Sequence, residues 1–496
     1  MTSDSAPSIY APARWGLSAD AIADLGNRLY RTWERFRSCF KTKTQDSSAH
    51  ALTYLRGLLT LETKRNYANI ARRVKGLWDD GQDLQNFMSD SPWQARAVFD
   101  QIQRELQARP TLRGGMLTLD ESGDERAGDQ SAGAARQYLG RFGKVDLGQV
   151  GVALGYYYQG TWALVDACLF LPQVWFDPAH ADLRRRLHIP ADLQFASKPQ
   201  LGLALIRQAQ ANGLEFEVVG CDSLYGRSGQ FRADVDAAGL LYMADVPANT
   251  QVYLQEPQVG IPPTPPGKAG RPFSQWQVLN DVRPVCVREL PQQPAWRLQP
   301  LPLRQCERGL LTYDCAAQRI WTISEAGQVR GEWLFIRREA DDTHSYSLSN
   351  APAETPLARL ALWRCHRYFA ERIFQDAKSE GGWDELVARK YRAWVHHAAL
   401  DALALWFMAE TKLDWAQAQP RDPQLTQELQ VEQLPALSLA NVRELLRAVM
   451  PLPTLSPAEA TEWVIHHLVN RAASTRSRLK AQQLPASTRA KKRAPG

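Results

Sequence analysis

The spacing of apolar and polar residues along this chain is helical at first. From residue 17 to about residue 110, apolar residues recur near a period of 3.6, as in ALTYLRGLLTLETKRNYANIARRVKGLW, with Lys and Arg on the opposite side. The stretch SPWQARAVFDQIQREL offers Ser91 as an N-cap and Pro92 at the first helical position. The pattern predicts an all-helical N-terminal region over residues 1–110.

From residue 111 the spacing becomes that of β-strands. GMLTLDES is a short apolar run that ends at Asp120, and two longer runs, QVGVALGYYY and TWALVDACLFL, meet at Gln159-Gly160 in the manner of a hairpin. A helix over SKPQLGLALIRQAQANG then leads into the strand FEVVGC, which Asp222 follows directly. Strands that alternate with helices predict a mixed α/β sheet, whose first part covers residues 111–247.

Residues 248–350 break this rhythm, and helical patterns return after them. Eleven prolines lie between Pro257 and Pro302, and IPPTPPGKAGRP cannot form a helix or a central strand. We predict a β-rich insertion here. Long helices over LARLALWRCHRYFAERIFQDAK and KYRAWVHHAALDALALWFMAETK then complete the α/β unit over residues 351–415, and residues 416–496 form a helical region with a basic tail.

Composition limits the class of protein. The chain has 496 residues, of which 44% are apolar and 23% charged, as expected for a soluble protein of two to four domains. No secretory signal is visible, and the most apolar stretch, AALDALALWFMA, contains Asp401 and is too short to span a bilayer. Seven cysteines without a CxxC pair indicate reduced thiols. We therefore expect a cytoplasmic protein without a membrane partner.

The net charge of +6 is distributed unevenly. Residues 471–496 carry eight basic and no acidic side chains, and residues 14–76 carry thirteen basic and five acidic ones. The remainder has 38 basic and 48 acidic residues and is therefore acidic. A basic tail often serves only solubility, but two basic segments in one chain favour a polyanionic partner, of which nucleic acid is the commonest.

Charged residues share one side of the predicted helix over residues 357–378. With Arg367 at zero and about 100° per residue, Lys378 falls at about 20°, Glu371 at about 40° and Arg364 at about 60°. The apolar residues of the opposite side are Leu362, Phe369, Ile373 and Ala377. A solvated helix face explains such a stripe as well as a site does. A site is favoured because two strands also present Asp120 and Asp222 at their ends.

The three carboxylates carry a resemblance to a known family. Asp120 in LDES, Asp222 in VVGCDSLYG and Glu371 in RYFAERIFQDAK resemble the acidic triad of the DDE transposases of bacterial insertion sequences. The segments RQYLGRFGK, QVGVALGYY, FASKPQL, CDSLYG and ARKYRAWVHHAAL resemble blocks that such proteins carry in the same order. The likeness covers roughly residues 50–412.

The glutamate helix carries the most specific part of the resemblance. The IS-four-type branch of the family marks this helix with Y-x2-R-x3-E-x6-K, and Arg367, Glu371 and Lys378 match three of its four positions. Position 364 holds Arg where the motif has Tyr. The resemblance implies that Arg364, Arg367 and Lys378 bind DNA. The alternative for Arg364 is a side chain that faces solvent.

The resemblance also implies a fold and an activity. The fold is a ribonuclease-H-like mixed sheet with flanking helices, interrupted by the β-rich insertion and preceded by an all-α DNA-binding region. Asp120, Asp222 and Glu371 would be the catalytic residues and would hold two Mg²⁺ ions, for which Mn²⁺ would substitute, because hard oxygen ligands suit these ions.

The expected activity is cut-and-paste DNA transposition. The partners would be double-stranded DNA, as terminal inverted repeats and as target, and a second copy of the chain in a synaptic complex near the bacterial nucleoid. A structure-selective nuclease on the same fold and a domesticated DNA-binding regulator remain the alternatives.

Other polar and aromatic residues favour structural roles. Glu121 would point to the opposite side of the strand from Asp120. His396 and His397 lie in an amphipathic helix without a metal-ligand pattern. In related transposases an aromatic residue of the insertion can hold a flipped base, but we favour core packing for the insertion tryptophans of this chain, which are Trp276, Trp296, Trp321 and Trp333. The sequence DESGDERAG after Asp120 is less basic than the corresponding stretch in many relatives, which often have Lys-Lys-Gly there.

Overall fold

A computed structural model describes residues 8–262, 275–306 and 309–483, with side chains up to residue 480. Most of IPPTPPGKAGRP and the end of the basic tail lie outside the described residues. The N-terminal helices are α1 (Ala19–Ala23), α2 (Leu25–Phe36), α3 (Ser48–Thr60), α4 (Tyr67–Val74), α5 (Gln82–Ser89) and α6 (Ala95–Gln107).

An α/β unit follows these helices. Its elements are β1 (Gly115–Glu125), β2 (Ala135–Leu139), β3 (Lys144–Tyr158), β4 (Thr161–Phe170), α7 (Ala181–Arg186), α8 (Lys198–Ala211), β5 (Phe216–Cys221), α9 (Ser223–Gly226), α10 (Gly229–Ala237) and β6 (Tyr242–Val246). The strands of the insertion are β7 (Gln251–Val252), β8 (Val259–Gly260), β9 (Gln277–Val278), β10 (Val285–Cys286), β11 (Gln299–Cys306), β12 (Gly309–Ile323), β13 (Val329–Arg338) and β14 (His344–Ser349).

The remaining elements are helical. They are α11 (Leu357–His366), α12 (Tyr368–Asp376), a π-helical turn (Ala377–Gly381), α13 (Tyr391–Ala418), α14 (Gln424–Glu428), α15 (Leu439–Val449) and α16 (Pro457–Gln483). Within the described residues, no helix combines the length and the hydropathy that a bilayer crossing requires.

The N-terminal helices form as the apolar period predicts, but one of them begins later than expected. Helix α6 starts at Ala95 with Gln94 as N-cap, so Ser91 and Pro92 precede it. The reason is tertiary: Trp93 is buried and its ring stacks on that of His396 at 3.7 Å between centroids. The backbone around Trp93 therefore follows the packing of its ring instead of continuing the helix.

Within the described part of the chain, ten strands form one mixed sheet. Their order is β11-β12-β13-β14-β6-β5-β1-β3, and β2 and β4 both pair with β3. β5 runs parallel to β1 and to β6, whereas the other pairs in the sheet are antiparallel. The hairpin predicted at Gln159-Gly160 joins β3 to β4.

The first acidic strand is longer than the sequence suggested. Asp120 lies in the middle of β1, which continues to Glu125 because its pairing with β3 extends to Gly148. The parallel pairing with β5, by contrast, ends at Leu119 and Cys221. Asp120 therefore lies at the point where β1 is no longer paired with β5 but is still paired with β3.

The insertion extends this sheet. β14 pairs antiparallel with β6, and β13, β12 and β11 follow outward in turn. The described residues between 248 and 350 form the strands β7 to β14, and residues 350–356 then lead to the two helices around Arg364, Arg367 and Glu371.

The predicted long helix over residues 357–378 is interrupted. α11 ends at His366 and α12 begins at Tyr368, so Arg367 lies between the two helices. Phe369, Ile373 and Ala377 are buried, as the helical period predicts. Ile373 contacts the sheet at Gly155 of β3, where an added Cβ would lie 2.3 Å from its Cδ1. Glycine at this position therefore lets the glutamate helix approach the sheet closely.

Helix α13 is the centre of the helical part of the molecule. It packs against α3, α5, α6, α15 and β4. His396 and His397 are buried in it, with imidazole nitrogens 2.9 to 3.0 Å from the carbonyl oxygens of Met88, Trp93 and Gly382. Both histidines therefore pack and bond to the backbone inside the protein.

Candidate active site

Two aspartates meet at the edge of the parallel strand pair. Leu119 of β1 and Cys221 of β5 are partners in the sheet, so the next residues, Asp120 and Asp222, follow side by side. Asp222 is the N-cap of α9, where its Oδ1 accepts a hydrogen bond from the amide of Leu224 at 3.0 Å. The end of β5 and the start of α9 thereby fix its carboxylate.

The environment of this pair disfavours two negative charges. Burial, together with the nearby carboxylate of Asp222, raises the pKa of Asp120 to about 7. Burial, together with Glu121, raises the pKa of Asp222 above its ordinary value. Since like charges are held close in a partly desolvated place, a bound cation would relieve their repulsion.

Glu371 lies in the same cleft as the two aspartates. The cleft has a volume of about 690 Å³. Among the described residues, its charged lining consists of Asp120, Glu121, Asp222, Glu371, Asp384, Arg141 and Lys378. The side chain of Glu371 is 59% exposed, so it is free to change rotamer. The structure thus brings together the three carboxylates that the sequence singled out, although they lie 102 and 149 residues apart along the chain.

Arg367 contacts three carboxylates at once. Its Nε lies 2.8 Å from Oδ2 of Asp245, its Nη2 lies 3.3 Å from Oε1 of Glu371, and its Nη1 lies 4.0 Å from Oδ2 of Asp120. Burial opposes the charge of Arg367, but Asp245, Asp120 and Glu371 outweigh it and raise the pKa above its ordinary value. This guanidinium therefore links the first aspartate to the glutamate helix.

Arg364 is placed differently from both sequence-based expectations. Its side chain is buried, and its Nε lies 2.7 Å from Oδ1 of Asp245. A buried guanidinium that is already paired neither faces solvent nor presents itself to DNA, so the assignment of Arg364 as a DNA-binding residue does not fit this placement. The helical period correctly placed Arg364 and Arg367 on the same side, because both guanidiniums contact the carboxylate of Asp245.

Asp245 is the functional candidate that the sequence reasoning missed. It lies in β6, it accepts a hydrogen bond from the hydroxyl of Ser347 at 2.7 Å, and it pairs with both Arg364 and Arg367. The signal was present in YMADVP, where a carboxylate interrupts an apolar strand in the same way as Asp222 follows one. The residues that contact Asp245 could not be predicted, because they lie more than a hundred residues away in the sequence.

Lys378 and Glu121 each have a neighbour of opposite charge. Lys378 lies in the π-helical turn and lines the cleft, with its Nζ 3.8 Å from Oδ1 of Asp124. Asp124 belongs to the acidic DESGD stretch, which thus offsets part of the positive charge here. Glu121 pairs with Lys198 at 2.8 Å, but it lines the same cleft as Asp120, so the expectation that it points away from the site is wrong.

The insertion tryptophans are packed to different degrees. Trp296 is buried, whereas Trp276, Trp321 and Trp333 are half-buried. Trp276 and Trp333 donate hydrogen bonds to the backbone carbonyls of Glu325 and Pro352 at 3.0 Å. These contacts agree with the packing role that we favoured.

The carboxylates of the cleft fit divalent cations in part. Asp120 and Asp222 offer hard oxygen donors in a place where their mutual repulsion favours a cation. Over the described ranges, no three Asp, Glu, His or Cys side chains come close enough to hold one ion together. Glu371 lines the same cleft, but its nearest charged contact is Arg367.

Comparisons with known proteins bear on these residues. Residues 35–302 match the family described as DDE superfamily endonuclease. This match covers more than half of the chain and includes Asp120 and Asp222, whereas Glu371 lies beyond it. The chain is also 30% identical over 213 residues to the probable transposase for insertion sequence element IS701 of Microchaete diplosiphon. That alignment covers 42% of this chain and 51% of the relative, so the chain matches about half of the relative's length.

Proposed function

Because the chain belongs to the DDE superfamily endonucleases, we propose that it is a transposase that cuts and joins DNA at the cleft of Asp120, Asp222 and Glu371. One observation carries this proposal. Two strands distant in sequence place Asp120 and Asp222 side by side, and the glutamate helix lines the same cleft. A carboxylate set of this kind suits phosphodiester chemistry with divalent ions.

The residues of the cleft have separate roles in this proposal. Asp120, Asp222 and Glu371 would hold the ions, which supply Lewis-acid stabilisation of the phosphate and activation of the attacking hydroxyl when bound. Arg367 orients Glu371 and neutralises part of the acidic charge around Asp120. Lys378 lies on the same rim, where it would contact a backbone phosphate.

The finer features of the proposal follow from the resemblance and from the charge distribution. The ions would be Mg²⁺, with Mn²⁺ as a substitute, and the core would be ribonuclease-H-like, which the mixed sheet and its flanking helices support. The substrate would be the terminal inverted repeats of an insertion sequence, cut and transferred to target DNA by a homodimer. Basic segments at residues 14–76 and 471–496 support end-binding and an association with the nucleoid.

The test uses the full chain and a supercoiled plasmid that carries the DNA flanking its reading frame. We expect Mg²⁺-dependent nicking at the ends, and loss of nicking in EDTA. Asp120→Asn, Asp222→Asn and Glu371→Gln should each lower nicking by about a hundredfold or more, because amides keep the shape but supply no anionic ligand. Binding of labelled end DNA should remain within about twofold of wild type, because base and phosphate contacts lie elsewhere.

The outcomes separate the alternatives. Cleavage of branched junctions without joining of ends would identify a structure-selective nuclease. Specific end-binding without nicking in any divalent metal would identify a regulator. Full nicking by one of the three variants would remove that residue from the site. Asp314→Asn is the control, because the Asp314 carboxylate is exposed and is not part of the cleft lining.

A further inference from the structure

A β-hairpin with exposed aromatic side chains stands at the rim of the carboxylate cleft. It consists of β2, a turn at Gly140–Phe142 and the start of β3, which begins at Lys144. Tyr138 and Val145 are cross-strand partners in it. Tyr138 is 58% exposed, Val145 53% and Phe142 42%. Large apolar side chains exposed together in this way mark a contact surface.

The hairpin is continuous with the site. Tyr138, Gly140 and Arg141 line the same cleft as Asp120, Asp222 and Glu371. Arg141 connects the hairpin to the far wall, since its Nη1 lies 3.2 Å from Oδ2 of Asp384. Any DNA strand that occupies the cleft therefore passes this hairpin.

The hairpin is also held firmly beside the first aspartate. Leu139 is fully buried, and it fills space that Gly123 of β1 and Gly148 of β3 leave open, where an added Cβ would lie 2.7 to 2.9 Å from its methyl groups. Gly123 follows Asp120 by three residues, or about 10 Å along a strand.

The cationic and aromatic side chains of the hairpin indicate which partner binds it. Arg136, Arg141 and Lys144 interleave with Tyr138 and Phe142. Lys144 pairs with Asp146 at 2.7 Å, whereas the Arg141 guanidinium, which pairs with Asp384, also lies 5.8 Å from the centroid of the Phe142 ring. Cations set among exposed rings suit a strand whose bases are free to stack, because a paired duplex presents no base face along its side.

We propose that Tyr138 and Phe142 stack on unpaired bases of the DNA strand in the cleft, so that the hairpin holds the strand open beside the carboxylates. The proposal rests on the DNA-cutting function proposed above and adds a site for single-stranded DNA to it. Stacking on the two rings would hold separated strands in place near the carboxylates.

The test measures binding without cleavage. The probe is a fluorescein-labelled duplex of about 30 base pairs with a central bubble of about four mismatched pairs, compared by anisotropy in EDTA with the fully paired duplex at one fixed salt concentration. We expect wild type to bind the bubble about tenfold more tightly. Tyr138→Ala and Phe142→Ala should each lower the affinity for the bubble duplex by at least about fivefold and the affinity for the paired duplex by less than about twofold. Tyr138→Trp should keep the preference for the bubble duplex.

A matched control exists in the same chain. Phe195 is 41% exposed, nearly the same as Phe142 at 42%, but it packs against Phe176 and lies outside the hairpin, before α8. Phe195→Ala should therefore bind both probes as wild type does. Thermal unfolding of each variant, expected within about 2 °C of wild type for exposed residues, separates binding from folding.

The results decide between the alternatives. Equal binding of both probes by wild type, or an unchanged bubble preference in Tyr138→Ala and Phe142→Ala, would overturn the proposal. A DNA-free dimer that Tyr138→Ala dissociates in sedimentation would overturn it as well, because the hairpin would then bind a second copy. Plasmid nicking is measured separately, so that failure to cut contradicts the proposed function while the bubble preference still reports on the hairpin.

Discussion

At the scale of single residues, Asp245 determines the arrangement of the cleft most directly outside the triad. It is the shared partner of Arg364 and Arg367, and Arg367 in turn contacts Glu371 and Asp120. This explains how the chain tolerates Arg at the position where the family motif has Tyr: a buried guanidinium is acceptable when a carboxylate pairs with it.

Substitution of Asp245 tests this arrangement. Asp245→Asn leaves two largely buried guanidiniums without this anionic partner, so the free energy of unfolding should fall by about 3 kcal/mol in urea titrations. Nicking should fall further than this loss of stability predicts, because Arg367 would no longer be held beside Glu371. Asp314→Asn is the control: its partner Arg338 is exposed and 3.5 Å away, so the change should stay within about 0.5 kcal/mol. Equal effects of the two substitutions would contradict the role of Asp245.

At the scale of elements, local signals in the sequence predicted the strands and helices, and tertiary pairing set their limits. The hairpin at Gln159-Gly160 and the buried side of the glutamate helix followed from turn chemistry and period, which are local. The extension of β1 past Asp120 depends on β3, and the burial of Arg364 depends on β6. Neither feature could be predicted, because a single sequence does not show which distant strands will pair.

The π-helical turn between α12 and α13 covers a buried acid. Asp401 of α13 is fully buried, and within the described residues neither of its carboxylate oxygens has a hydrogen-bond partner. An added Cβ on Gly381 of the turn would lie 1.6 Å from Oδ1 of Asp401, so the two elements are in direct contact. Burial raises the pKa of Asp401 well above its ordinary value and thereby favours the neutral carboxyl group.

This acid makes the stability depend on pH. A carboxyl whose pKa is raised by folding ionises in the unfolded chain first, so stability falls as pH rises above about 4, by up to about 1.4 kcal/mol per unit, until the folded pKa is reached. Asp401→Asn removes this dependence. Its stability relative to wild type should therefore increase between pH 5 and pH 7 in urea titrations. Asp182→Asn, on the exposed helix α7, serves as control, and a pH-independent difference for Asp401→Asn would contradict the prediction.

At the scale of the whole molecule, the N-terminal helices are integrated with the C-terminal ones. Arg28 and Arg109 both pair with Asp414 of α13, and Arg35 pairs with Glu410 at 2.6 Å. The sequence predicted the helical character of residues 1–110 from its period, but it did not indicate that these helices cover α13. Their removal would expose the apolar side of that long helix, so DNA specificity is better probed by surface substitutions than by deletion.

The C-terminal basic segment permits a deletion. Every residue of α16 from Val464 to Lys480 is exposed, and residues 471–496 carry eight cations and no acidic side chain. Deleting residues 471–496 should weaken DNA binding equally for all sequences and reduce the slope of log K against log salt by about 0.9 for each phosphate that the segment had neutralised. Anisotropy at several salt concentrations measures this slope. A change in sequence preference with an unchanged slope would contradict the prediction.

The position of the insertion has a consequence for the order in which the protein is made. Asp120 and Asp222 leave the ribosome well before Glu371, which follows Asp222 by 149 residues, and β14, the strand that pairs with β6, is also made before the glutamate helix. An unfinished chain therefore carries an incomplete set of carboxylates. Translation products that end within the insertion would therefore lack Glu371, one of the three carboxylates proposed to hold the ions.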